Sequence, residues 1–259
     1  MEGNYRLKLR VQELARRDAQ RRLFGCELHK YEFAPPLAQP DLVALESAYH
    51  ITLPAEYRDF LLHVGNGKVG PGYGMESLKP MVPPAGPRRR MGSLVVTDAN
   101  GQLIHRATYD DVGVNYDPSG AKSTTAASRP FPLTAPFRSI TDEMWRVGIP
   151  NWHDRLRAEH KSNRAAFAAI GFGEGVLKVA HYGSGIYAVL VLNGPFREQV
   201  WVTDPHLGDY VPASMRTDLH DRSIKTETAY ARHTNAFSFC GWYNHWLCAA
   251  EAQVAQTRV

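Results

Sequence analysis

The stretch Gly175–Gly194, GVLKVAHYGSGIYAVLVLNG, decides the fold. β-Branched and aromatic residues run on both sides of Gly183-Ser184-Gly185, and Asn193-Gly194-Pro195 closes the second run, so the pattern predicts two strands joined by a tight turn. In the second run Ile186, Ala188, Leu190 and Leu192 alternate with Tyr187, Val189 and Val191. Both sets are largely apolar, so this strand is expected to be covered on both faces. EQVWVTDP (198–205) supplies a third β-rich run, and the three together predict an antiparallel meander.

Cover for one face is legible at the C-terminus. In SFCGWYNHWLCAAEAQVA (238–255), Phe239, Trp242, Tyr243, Trp246, Leu247 and Ala250 form a single apolar face at helical spacing, and that helix must dock on the sheet. Upstream, Leu42, Leu45 and Tyr49 predict a helix over about 40–50. Pro54 pre-sets the first turn of another, in which Glu56 suits the positive N-terminal end and Tyr57, Phe60, Leu61 and Val64 fall at i, i+3, i+4 and i+7. Gly65 and Asn66 are expected to close it as left-handed caps. The fold class expected is α+β: an antiparallel sheet with helices packed on it, a loop-rich central insertion at about 85–165, and a basic N-terminal helix. The organisation is 1–24 for that helix and 25–259 for one domain.

Gly65-x-Gly67-x-x-Gly70, in FLLHVGNGKVGPGYG (60–74), matches the dinucleotide-binding fingerprint letter for letter. The fingerprint holds a pyrophosphate only when it follows a strand and opens a helix, whose N-terminus attracts the anion. Here the glycines follow a helix C-terminus, where the dipole is negative, and Pro71 interrupts any helix starting there. The glycines are therefore read as backbone with positive φ and close approach to neighbouring chain, with no cofactor implied.

The chain has 259 residues, 44% of them apolar, enough for a core without staples. Cys26, Cys240 and Cys248 include no C-x-x-C, so they are read as reduced packing residues in a cytoplasmic protein with no membrane span. Arg6, Lys8, Arg10, Arg16, Arg17, Arg21 and Arg22 oppose only Glu2, Glu13 and Asp18 in residues 1–24. The formal charge of +4 therefore resides in that segment and the body is balanced. Leu7, Val11, Leu14 and Ala15 recur at helical spacing in it, which predicts an amphipathic helix docked on the body with its arginines outward. Any nucleic-acid engagement is confined to Arg10, Arg16, Arg17, Arg21 and Arg22.

Between 80 and 165 the texture changes to KPMVPPAGPRRRMG, with Arg88, Arg89 and Arg90, then two short strands around Asn100-Gly101. A polar piece at about 117–129 and one or two short helices follow. His153, Asp154, Glu159 and His160 lack an H-x-x-x-H pair and sit among Arg155, Arg157 and Lys161, a poor setting for zinc. Asp204, His206 and the pair His181-Tyr182 read as turn and core residues. Ser184 lies in a hairpin rather than a nucleophile elbow, and Asp110-Asp111 and Asp218-Asp221 read as solvated loop carboxylates. No grouping offers nucleophile, base and orienting group together, so the expectation is a protein that is not an enzyme, with no metal.

Several pieces together resemble one family. FGCELHKYEFAPPL (24–37), LPAEYRDFLLHVGNGKVGPGYGMESL (53–78), HYGSGIYAVLVLNG (181–194), EQVWV (198–202) and FCGWYNHWL (239–247) are similar to the SUKH superfamily, over roughly 24–80 and 168–250. Members of that superfamily include cell-wall-assembly regulators and bacterial immunity proteins against polymorphic toxins. The resemblance implies an α+β domain that binds and neutralises a cognate toxin, often a nuclease or deaminase, by occluding its active site. The alternative it implies is a regulatory scaffold. Ser184 stands where many relatives have cysteine, which implies a packing position. The partner-binding residues expected on this reading are Asn66, Gly67, Gly70, Pro71, Tyr73 and Gly74 in the loop, Tyr182, Ser184 and Gly185 at the turn, and Arg88, Arg89 and Arg90 in the insertion.

Overall fold

A computed structural model describes residues 2–78, 92–97, 103–109, 127–138, 173–204, 208–232 and 235–256. The expected meander is present and has one strand more than the sequence predicts: β3 (Val176–Gly183), β4 (Ile186–Val191), β5 (Val200–Asp204) and β6 (Asp209–Pro212) form an antiparallel sheet in that order. Gly183 pairs with Ile186, so Ser184-Gly185 is a two-residue turn. Both residues have positive φ, 51° and 80°, as the right-twisting primed turns require. Ser184 is exposed there, which corrects the packing role implied for it. A separate hairpin pairs β1 (Gly92–Thr97) with β2 (Leu103–Tyr109), as expected from the strands around Asn100-Gly101; the residues of its turn lie outside the described ones.

Register between β3 and β4 shifts twice, between Lys178 and Ala180 and between His181 and Gly183, and the first shift has consequences for the strand's faces. Lys178 pairs with Val189 and Ala180 with Ala188, leaving Val179 as an extra residue. Such a bulge resets which face the following side chains take. Val179, Ala180 and Tyr182 consequently join Ala188 and Leu190 in the inner core, while Val176, Val189, Val191, Trp201 and Tyr210 form a second cluster on the outer face. The central strand is thus covered on both sides, as its two apolar sets required.

The helices are α1 (Glu2–Arg17), the single turn α2 (Cys26–His29), α3 (Gln39–Tyr49), α4 (Ala55–His63), α5 (Thr226–Arg232) and α6 (Phe239–Gln256); all but α5 cover the inner face, and α5 packs on the turns at 213–219. The α6 face read from sequence is the buried one, extended by Val254, and Trp242 and Tyr243 are among the largest fully buried side chains. Tyr57, Phe60 and Phe239 meet at ring-centroid distances of 4.7 and 5.2 Å, which locks α4 against α6. The outer face is covered by 127–138, part of which was expected to be a polar low-complexity piece. Phe131 sits 5.1 Å from Trp201, and Phe137 exchanges backbone hydrogen bonds of 2.8 and 2.9 Å with Tyr210, so the β6 edge is also occupied.

Two local expectations are corrected. Helix α4 closes on Val64 in a right-handed conformation, and neither Gly65 nor Asn66 has positive φ. Gly65 is required for space, since a Cβ there would stand 2.6 Å from the carbonyl oxygen of Ala34. The thiols also divide: Cys26 is buried, whereas Cys240 and Cys248 are exposed and so do not serve packing.

Helix α1 docks as its stripe predicted, with Val11 and Leu14 fully buried. Its charges are less free than expected. Arg10 donates to Glu251 of α6 at 2.8 Å and also to Asn244 and Cys248, and Arg16 pairs with Glu13. That ion pair is about 30% exposed on both sides, so screening by water limits it to below about 1 kcal/mol. Truncating a fully buried leucine costs about 2–5 kcal/mol. Urea unfolding should therefore show Leu14→Ala losing several-fold more stability than Arg10→Ala; the reverse order would mean that charge, not packing, docks α1.

Candidate functional site

The glycine-rich loop finds its place along the exposed edge of β3. Tyr73 donates its amide to the carbonyl of His181 at 2.7 Å, and Glu76 donates to that of Val179 at 2.9 Å. Met75 bridges Ala180 on one side and Lys68 on the other, and Lys68 in turn bridges Phe33. The loop thus adds short strand-like pieces to the sheet and uses up its open edge. Glycine is needed at 72, where φ is +66° and any Cβ would collide with the His181 carbonyl oxygen. No helix begins in this loop, and its amides near the sheet are spent on protein carbonyls, so the phosphate-cradle geometry is not what these glycines build.

Asn66 locks the other end of the loop. Its side-chain amide donates to the Leu78 carbonyl at 2.6 Å and its carbonyl oxygen accepts from the Leu78 amide at 2.8 Å, so one side chain does what a paired strand residue would do. Gly67, Gly70, Pro71 and Gly74 are all buried. Of the loop residues expected to face a partner, these four instead hold the loop in place, while Asn66 and Tyr73 are half-exposed, Asn66 with its side chain spent on Leu78.

Tyr73 lies across the β3–β4 turn, its ring close enough that a Cβ on Gly183 would come within 2.8 Å of it. The expected loop and turn residues are therefore brought together, with Ser184 exposed and Gly185 half-buried beside Tyr73. Tyr182 is corrected. The extra residue at Val179 turns its side chain inward, where it is 7% exposed, and turns His181 outward in its stead. Arg88, Arg89 and Arg90 lie outside the described residues, as do Asp110, Asp111, His153, Asp154, Glu159, His160 and His206.

Around Tyr73 the structure assembles aromatic residues that sequence reading missed. Phe24 lies 4.7 Å from the Tyr73 ring, Tyr73 lies 5.7 Å from His181, and His181 stacks at 4.8 Å and 23° on Tyr187. A cation caps each end. The Arg222 guanidinium lies 3.9 Å above the Phe24 ring, and Lys178 Nζ lies 4.0 Å from the centre of the Tyr187 ring. Phe24, Tyr73, His181 and Tyr187 are all half-buried, so each is held by the body and still presents surface. A bulge-aware alternation in β3 and β4 would have found His181 and Tyr187; nothing local in sequence ties Arg222 to Phe24.

Beneath this surface two buried polar braces fix the supporting elements. Trp242 Nε1 donates to the Tyr182 hydroxyl at 3.2 Å, the hydroxyl lies 2.8 Å from His220 Nε2, and His220 Nδ1 lies 3.0 Å from Nδ1 of His245. A neutral His220 carrying its proton on Nδ1 satisfies every member: it accepts from Tyr182 and donates to His245. Burial, with His245 alongside, pushes the His220 pKa down to about 3. In the second brace the buried Arg216 donates to Asp204 at 2.8 Å and to Asp218 at 3.0 Å, and Thr226 donates to Asp218. Asp218 is therefore not the solvated loop carboxylate its sequence setting implied. Among the described residues no cluster of three His, Cys, Asp or Glu side chains is placed to hold a metal ion. No described helix is long and apolar enough to cross a membrane. A cleft of about 480 Å³ beside Trp201 and Phe196 has, among the described residues, Gln199, Ser214 and Asn235 as its polar lining and no ionisable group.

Comparison of the chain with family models, with curated proteins and with solved structures gives no match.

The buried histidines set a pH dependence. His29 Nδ1 accepts the Tyr31 amide at 3.1 Å, and burial pushes its pKa down to about 4. Both histidines titrate near 6.5 in the unfolded chain, so below that pH the unfolded state takes up protons the native state refuses. Their stabilisation is complete above about 6.5 and is lost as pH falls toward 4 and then 3, by up to about 1.4 kcal/mol per pH unit for each proton. Urea midpoints should hold from pH 7.5 to about 6.5 and then fall steadily to 4.5, and His220→Asn should start lower yet fall less steeply; a flat profile below 6.5 in the parent protein would contradict the assignment.

Proposed function

We propose that this protein is an immunity protein of the SUKH kind, which binds a cognate bacterial toxin in the cytoplasm and blocks the toxin's active site by covering it. The observation that carries the reading is Tyr73: an aromatic side chain presented at the surface by a loop whose backbone is hydrogen-bonded to β3, with the exposed Ser184 turn beside it. A specific interface of ordinary size buries about 1,600 Å² in total and takes most of its energy from a few aromatic or arginine anchors. An anchor that is already ordered avoids about 0.5–1.5 kcal/mol of side-chain immobilisation on binding. The fixed loop supplies such an anchor without any need for the protein to do chemistry.

The basic N-terminal helix supports the nucleic-acid alternative less than its sequence did, because Arg10 is tied to Glu251 and Arg16 to Glu13. A nuclease or a deaminase is the toxin class that the resemblance favours. The direct test is co-expression with the toxin encoded in the same locus, together with titration calorimetry of the two purified proteins. Growth rescue and a Kd below about 1 μM are expected. Absence of both rescue and binding would overturn the immunity reading and leave the scaffold role.

A further inference from the structure

The geometry points to the row Phe24–Tyr73–His181–Tyr187, with Arg222 at its open end, as the docking surface for an acidic patch on a protein partner. This inference rests on the immunity reading and adds to it the location of the interface and the charge of what it meets.

The first argument is the state of the rings. Each has a neighbour against it: Arg222 above Phe24, Phe24 beside Tyr73, Tyr187 stacked on His181, and Lys178 against Tyr187. Single-stranded nucleic acid binds such surfaces by laying bases on free ring faces. Only His181 and Tyr187 are stacked, whereas Phe24–Tyr73 and Tyr73–His181 are tilted at 51° and 45°, so the row has no continuous run of parallel faces for successive bases and offers ring edges, hydroxyls and cations. That is the chemistry of a protein interface, in which rigid tyrosines and arginines serve as anchors. The hydroxyls of Tyr73 and Tyr187 make no hydrogen bond among the described residues and are available to a partner.

Charge is the second argument, and it differs at the two ends. Lys178 is 8% exposed, and the Tyr187 hydroxyl pKa is raised first by burial and then by the nearby Glu76 carboxylate, so that end is closed and carries both signs. The other end is open. Arg222 is exposed, touches the Phe24 ring, and has no carboxylate within ion-pair distance among the described residues; the neighbouring Asp221 accepts from Ser223 instead. Arg21 and Arg22, also exposed, precede Phe24 in the chain; the Glu32 carboxylate is within electrostatic reach of Arg21, which leaves Arg22 and Arg222 to carry the positive charge of this end. Asp18, the acidic residue nearest to them in sequence, accepts the Tyr31 hydroxyl and the Arg22 and Leu23 amides. A guanidinium seated over an aromatic ring still has N–H donors free for a carboxylate, which it can take in a bidentate pair. Excess positive charge at the open end steers an acidic partner toward the row.

The test uses the full chain and the toxin from its locus, with binding followed by surface plasmon resonance. Arg222→Glu should weaken binding at least about tenfold, chiefly by slowing association, with the difference shrinking as salt rises from about 0.05 to about 0.5 M. Arg222→Lys should retain most of the affinity. Tyr73→Ala should weaken binding by a similar factor through faster dissociation, and melting temperatures should show that the variants remain folded. If the parent binds the toxin and both Arg222→Glu and Tyr73→Ala bind it equally well, the row is not the interface although the immunity reading stands. If the parent does not bind the toxin at all, that reading fails and this inference fails with it. If a fluorescent single-stranded RNA binds the parent and is lost in Arg222→Glu, the row serves nucleic acid and the protein-partner assignment is overturned.

Discussion

The amide of Tyr73 and the carbonyl of His181 lie 2.7 Å apart, and the shape of the aromatic surface around Tyr73 depends on that hydrogen bond. It can form only if residue 72 has no side chain, since its φ is +66° and a Cβ would enter the space of the same carbonyl. Once made, it sets the loop along β3 with Glu76 bonded to Val179 and Met75 bridged to Ala180, and Tyr73 is left over the Gly183 turn. A sheet edge that would otherwise be open to aggregation is closed by the same contacts. Protection of the edge and presentation of the aromatic therefore have one cause.

The rest of the molecule keeps β3 where the loop needs it. Its inner side chains pack against α6, and the Trp242–Tyr182–His220–His245 chain joins the strand, the turn before α5 and α6 through the buried Trp242, Tyr182 and neutral His220, with His245 half-buried at its end. Fully satisfied buried networks of this kind favour a single arrangement, because any shift leaves a polar group unpaired in a low-dielectric interior. On the outer face Phe131 and Trp201 hold the other side of the sheet. The surface at Phe24, Tyr73, His181 and Tyr187 thus stands on a foundation fixed from two sides, which suits recognition by preformed shape.

Much of this was legible from the sequence. The two apolar sets of β4 demanded cover on both faces, and the aromatic face of α6 declared what covers the inner one. The glycine loop was rightly placed after a helix C-terminus. Other features depend on information that strict periodicity does not carry. One extra residue at Val179 exchanges the faces of His181 and Tyr182, so the residue expected at the interface is in the core and its neighbour is outside. Strand β6 is four residues long and ends in Pro212, too short for a pattern to register. The outer cover from 127–138 has no period of its own; Phe131 and Phe137 matter because of what they meet. Gly65 looked like a left-handed cap, whereas the backbone of Ala34, thirty-one positions earlier, is what excludes a side chain there. Arg222 and Phe24 are likewise joined only by the tertiary fold.

Hydrogen exchange at the amides of Tyr73, Met75 and Glu76 tests the central claim, that the glycine-rich loop is a welded extension of the sheet. These amides should exchange as slowly as those of β3 and β4, and adding nucleotide or inorganic phosphate should leave them unchanged. Exchange at the rate of an exposed loop, or protection that appears only when phosphate is added, would contradict the account.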